Sequence, residues 1–224
     1  MTQLYLYNAL RKKLKSQIQI YRDFFVSKVF PTFDDIEGAA NKYSEELYNA
    51  LLAKSNDPEE DGSSFAETAI ENGISHYEAL SSVRYSFASI AVASLYHVWE
   101  QQAREFLFRE LSQYRKMDPK KFCPNGMEDI KAIFLKHKVD LTTFKSWNLL
   151  NELRLVCNVV KHGDGKSASD LLALNPNLFN PRARIRTTSS LLDEILLLSV
   201  KEFSNYANNL VGFWDEIPER SVYS

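Results

Sequence analysis

Residues 151–165, Asn-Glu-Leu-Arg-Leu-Val-Cys-Asn-Val-Val-Lys-His-Gly-Asp-Gly, gather four polar side chains of a kind that can handle phosphate and protons. At about 100° per residue, Arg154, Asn158, Lys161 and His162 share one face of a helix, with Leu153, Val156 and Val160 opposite. A guanidinium and an ammonium hold phosphate oxygens, and an imidazole passes protons near neutral pH. The negative end of the helix dipole favours cations at that terminus. A plainer use of the same residues is capping: Lys161 and His162 satisfy the last carbonyls and Gly163 turns left-handed. Spacing alone leaves both uses open. Lys166, Arg182, Arg184 and Arg186 follow closely with Phe179 among them, either a local phosphate-contacting patch or a solvated loop paired with nearby acids.

Other chemistries find less support. His76, His97, His137 and His162 are far apart, with no HExxH or Cys/His cluster, so no metal site and no cofactor are expected. No phosphate-binding glycine loop precedes a Lys-Ser pair, and no GxSxG elbow is present. His97, in Leu-Tyr-His-Val-Trp-Glu, reads as a core histidine among apolar neighbours. Glu100 and Arg104, four apart, read as an ordinary ion pair on a helix surface. Cys123 and Cys157 read as two reduced thiols rather than a disulfide framework. The net charge of −2 gives no global basic excess, so any RNA contact must be local.

The elements that would position these groups are helical. The 224 residues are 45% hydrophobic, with only 7 glycines and 7 prolines, which allows a large core and long helices and argues against a β-sandwich. Leu6, Leu10, Leu14, Ile18, Tyr21, Phe25 and Val29 predict helix up to Pro31, and Ile36, Ala40, Tyr43, Leu47 and Leu51 a second helix. The polar run 55–64 is the best internal boundary, separating an N-terminal helical hairpin (1–60) from a helical bundle (64–224). Phe65 to Asn72 reads as a short helix closed by Gly73, and roughly Tyr77 to Tyr114 as the longest helix. The latter is apolar nearly all round from Tyr85 to Trp99, as in a bundle's centre or a subunit interface. Met127 to Lys136, a helix capped by Thr142 or Thr143 and running through Trp147 to about Lys161, a brief one at Ala168 to Leu174, and a last one opened near Ser190 with Asp193 in a capping box complete the reading. No strand is predicted. The fold class is an all-α bundle with one long central helix, a homodimer if the apolar stretch is an interface. With no secretory order of charges at the start and no run long enough to span a bilayer, the expectation is a cytoplasmic chain with no membrane contact.

An amphipathic helix carrying Asn158, then three residues, then His162-Gly163 resembles the signature of HEPN domains, over Tyr77 to Trp214 at the level of helix order. Those domains are helical bundles, often dimeric, found in bacterial toxin and anti-phage systems, where many cut RNA without metal. The resemblance implies His162 as general acid or base around the 2′-hydroxyl and Asn158 as the polar position. Cys157 stands where the family's usual spacing puts arginine, so Arg154, with seven residues between it and His162, or Lys161 would contact phosphate in its place. It further implies a supporting role for Glu100 or Arg104 on an earlier core helix, RNA as substrate, and a regulatory or antitoxin protein as partner. Two other readings stay open: a binding module that kept the fold and lost catalysis, and a helical scaffold with no site.

Overall fold

Leu10, Leu14 and Ile18 recur at four-residue steps and are all buried, which makes α1 (Asn8–Phe24) an amphipathic helix with one face sunk in the core. The computed structural model describes residues 2–54, 62–181 and 194–223. In it α1 does not continue to Pro31 as a regular helix. It widens into a π-helical turn at Phe25–Val29 and then tightens into a 3-10 turn at Phe30–Phe33, which takes Pro31 near its start. This rearrangement leaves both Phe25 and Phe30 against Phe203, with ring centroids 5.6 and 5.3 Å away.

α2 (Ile36–Lys54) packs on the start of α3 (Gly62–Ser112), a 51-residue helix roughly 75 Å long. The short helix and the long helix expected on either side of Gly73 are therefore one element. Gly73 does not stop it because α2 presses on it: a Cβ there would lie 2.9 Å from the Cβ of Ser44. Ser44 Oγ donates to the Ala69 carbonyl at 2.8 Å, and Tyr43 stacks on His76 with centroids 4.4 Å apart. The glycine serves close helix approach rather than termination. Along this hairpin Ile70, Ile74 and Tyr77 remain exposed.

Further along, α3 is sunk in the bundle. Ala91, Val92, Leu95, Trp99, Ala103 and Leu107 are fully enclosed, while Phe87 and Ile90 are exposed. α4 (Met127–Lys136) and α6 (Lys166–Leu174) fall close to the expected spans, while α5 (Trp147–His162) begins later than a cap at Thr142 or Thr143 would give, because Leu141–Thr143 form a separate 3-10 turn capped by Asp140. α7 (Val200–Glu216) starts late as well: Leu196 pairs in an isolated bridge with Phe179, and the helix begins only after Ser199, which forms a capping box with Glu202. Ser190 and Asp193 lie outside the described residues, as does the boundary expected near residue 60. Two three-residue strands, β1 (Gln3–Tyr5) and β2 (Arg220–Val222), pair antiparallel with Tyr5 opposite Arg220. They are too short to show a sequence alternation. The described structure is thus an all-α bundle with one long helix, and the apolar face of α1 shares a core with α3, α5 and α7. No helix among the described residues is long and apolar enough to cross a membrane.

One buried carboxamide joins three of these helices. Gln102, 5% exposed, donates from Nε2 to the Leu14 carbonyl and to Gln17 Oε1, both at 3.0 Å, and its Oε1 accepts from Trp214 Nε1 at 3.0 Å. Replacing it with an apolar residue strands the buried Trp214 N–H. Gln102→Leu is expected to lower unfolding free energy by about 1–3 kcal/mol, read from the denaturant midpoint at unchanged slope.

Candidate functional site where α3 meets α5

α5 is held at both ends by identifiable groups. The Glu216 carboxylate on α7 accepts the backbone N–H groups of Lys145 (2.6 Å) and Ser146 (3.0 Å) just before its first turn. This satisfies donors that a helix start leaves free and places negative charge at the positive end of the dipole. At the other end Gly163 takes φ +64° and donates to the Val159 carbonyl at 2.8 Å. Leu150, Leu153, Leu155, Val156, Cys157, Val159 and Val160 are buried between these ends.

The four polar side chains of α5 form a band about 100° wide, from Lys161 round to His162. Within it they have different surroundings. Arg154 is half-buried and donates from Nε and Nη2 to Asn151 Oδ1, at 3.2 and 2.9 Å. Asn158 leans the other way, donating from Nδ2 to Ser167 Oγ on α6 at 3.3 Å. Lys161 and His162 are exposed. Lys166 is exposed at the start of α6, while Arg182, Arg184 and Arg186 lie outside the described residues.

The structure adds partners from α3. Cys157 Sγ lies 3.6 Å from His97 Nε2, and His97 Nδ1 lies 3.8 Å from Glu100 Oε2. The buried Tyr96 hydroxyl donates to Glu100 Oε1 at 3.4 Å. Glu100 is covered by Gly126, at φ +58°, where a Cβ would come 2.5 Å from Oε1. The positive φ favours glycine there, and the end of the Glu100 side chain occupies the space beside it. His97 is not the enclosed core histidine its neighbours suggested: its side chain is 40% exposed, at a gap in the packing around α3. The expected Glu100–Arg104 ion pair is also absent among the described residues. Arg104 Nη2 instead donates to the Phe122 carbonyl at 2.8 Å and braces the connector before α4. Glu100 contacts Tyr96 and His97 instead. The only trace of this cluster in sequence is the three-residue spacing of His97 and Glu100; the approach of Cys157 is a tertiary fact.

The chain matches no known protein family, no curated protein and no solved structure. What the site can do is read from its own side chains. Burial pushes the Cys157 thiol up to about 11, outweighing the opposing pull of the Lys161 ammonium, so the sulfur stays protonated and is no nucleophile. The His97 imidazole is held below its ordinary value, first by burial and then by Lys161, with Glu100 opposing both. A neutral imidazole and an exposed ammonium therefore stand together at the α3–α5 contact, and the exposed His162 follows the ammonium by one residue on α5. That set can bind an anion and exchange protons. Among the described residues no His, Cys, Asp or Glu group is arranged to hold a metal ion.

Three outcomes follow from these electrostatics. Lys161→Met is expected to raise the His97 titration midpoint, followed through its ring resonances by NMR. Because the native state holds His97 below the unfolded value of 6.5, the unfolded chain takes up the proton first on acidification. Stability then falls as pH drops through 6.5 and levels off below the native midpoint. His97→Gln should flatten that part of the stability–pH curve relative to wild type. Cys157, and Cys123 whose thiol burial likewise pushes up to about 11, should both resist alkylation at pH 8 until the chain is unfolded.

Proposed function

We propose that this chain is an RNA-directed, HEPN-like protein working as a homodimer, and that it cleaves RNA without metal at the end of α5. The observation that carries the reading is that Lys161 and His162 are both exposed beside the Gly163 turn, with the neutral imidazole of His97 flanking Lys161 from α3. In the proposed reaction the 2′-oxygen loses its proton to a base and attacks the adjacent phosphorus. The bond to the 5′-oxygen breaks and that oxygen receives a proton, leaving a 2′,3′-cyclic phosphate and a 5′-hydroxyl. His162 is the acid–base group, His97 offers a second proton-transfer position, and Asn158 orients the substrate. Lys161 is the main phosphate contact because Arg154 is tied to Asn151. A toxin or phage-defence setting with a regulatory partner belongs to this reading through the resemblance alone.

A second reading has its own observation. Cys157 occupies the position where the family places arginine, and it is buried and protonated, so it contacts no phosphate. This favours a module that binds RNA or protein without cutting. Purified protein incubated with cellular RNA in chelator separates the two. The first expects fragments ending in cyclic phosphate, and a loss of about 10²–10⁴ in rate for His162→Ala. Retained RNA binding with intact RNA selects the second, and cleavage that persists in His162→Ala removes the assigned mechanism.

A further inference from the structure

The other end of α3 carries a groove that the proposed cleavage does not use. Arg109 follows His97 by twelve residues on the same helix, roughly 18 Å along its axis. Here β1, β2 and the last turns of α3 enclose a cavity of about 430 Å³, a volume in the range of small-ligand sites. Its walls include Tyr5, Tyr7, Tyr114, Arg109 and Arg220.

These side chains are organised rather than scattered. Tyr5 and Tyr7 have ring centroids 5.9 Å apart and are 36% and 40% exposed; Tyr114 is 48% exposed. The Arg220 guanidinium lies 4.8 Å from the Tyr5 ring centre, and that of Arg109 lies 5.6 Å from Tyr7. Beneath them Glu110, 6% exposed, accepts the Tyr5 backbone N–H at 3.0 Å through one oxygen and two donors of Arg109, at 3.0 and 2.8 Å, through the other. That carboxylate fixes the strand edge and Arg109 together, and it balances one of the two cations. Arg220 has no ion-pair partner among the described residues. The groove therefore offers two partly exposed tyrosine rings, each with a guanidinium against it, one guanidinium without a carboxylate partner, and the carboxamides of Gln3 and Gln113.

Each component suits one part of a nucleotide. Any base presents a flat π-face to an aromatic ring, and such stacking tolerates sequence. A guanidinium grips phosphate oxygens in a planar fork, which an ammonium cannot do. Carboxamides donate to and accept from base edges. A proline-rich peptide also docks on aromatic grooves, but it has no use for a free guanidinium beside the rings. We propose that this groove binds a nucleotide unit, its base stacked at Tyr5 and Tyr7 and its phosphate held by Arg220. The proposal stands apart from the cleavage reading, since none of its residues belongs to the α5 site.

The test is titration of the full chain, in chelator, with AMP, with UMP, with a six-nucleotide single-stranded RNA and with a proline-rich decapeptide, following tyrosine ring resonances and fluorescence. Binding should weaken at least about fivefold in Tyr7→Ala and in Arg220→Gln and survive in Tyr7→Phe. Comparable affinity for mononucleotide and hexamer identifies a free nucleotide as the ligand; much tighter hexamer binding identifies a single strand. No binding by either, binding indifferent to Tyr7→Ala and Arg220→Gln, or capture of the decapeptide in their place overturns the proposal. Groove binding without RNA cleavage would remove the proposed activity and leave this inference in place.

Discussion

A helix that is apolar on nearly every side has to be wrapped, and α3 between Tyr85 and Trp99 is such a helix. Leaving that surface in water would cost about 25 cal/mol for each Å², so α1, α5 and α7 close around it. Small residues decide how near they come: Ala88, Ser89, Ala91, Ala93 and Ala103 are all buried. Within the core α3 also carries the buried Gln102, whose three hydrogen bonds tie α1 and α7 to α3 in a fixed register. A buried carboxamide is tolerated only when satisfied, so it selects one packing arrangement over others of similar apolar area.

The candidate site arises where that wrapping opens. His97 and Glu100 sit at the edge of the buried stretch, and α5 crosses there with Cys157, so a thiol, an imidazole and a carboxylate meet in a half-dry environment. Partial burial explains the protonation states: it holds the thiol protonated and the imidazole neutral, with Lys161 reinforcing the second effect and opposing the first. A Cys–His contact in this setting is packing with a hydrogen bond, not an activated nucleophile. The reactive candidates are instead the groups that reach water, His97, Lys161 and His162.

Because α3 is continuous, it also sets the distance between this cluster and the tyrosine–arginine groove near its other end. Both stand on one rigid rod, and the groove is completed by strands from opposite ends of the chain, β1 and β2. Glu110 links them by accepting from the backbone of Tyr5 while holding Arg109.

The helical period of the apolar residues and the scarcity of glycine and proline made the all-α class, the long helix, the spans of α4 and α6 and the end of α5 legible from residue order. Those are local properties, set by side chains three and four apart and by Gly163 at a helix end. Where long-range packing competed with local preference, it prevailed. Gly73 looked like a stop and is a contact, because Ser44 needs the space; residues 194–199 sat in a helical pattern, but Leu196 pairs with Phe179 instead. The four polar groups of α5 were visible in the sequence because one helix carries them. The approach of His97 to Cys157, sixty residues apart, and of Tyr5 to Arg220 was not, because no local period encodes which helix faces which. That pairing emerges only once a buried helix has drawn its neighbours in.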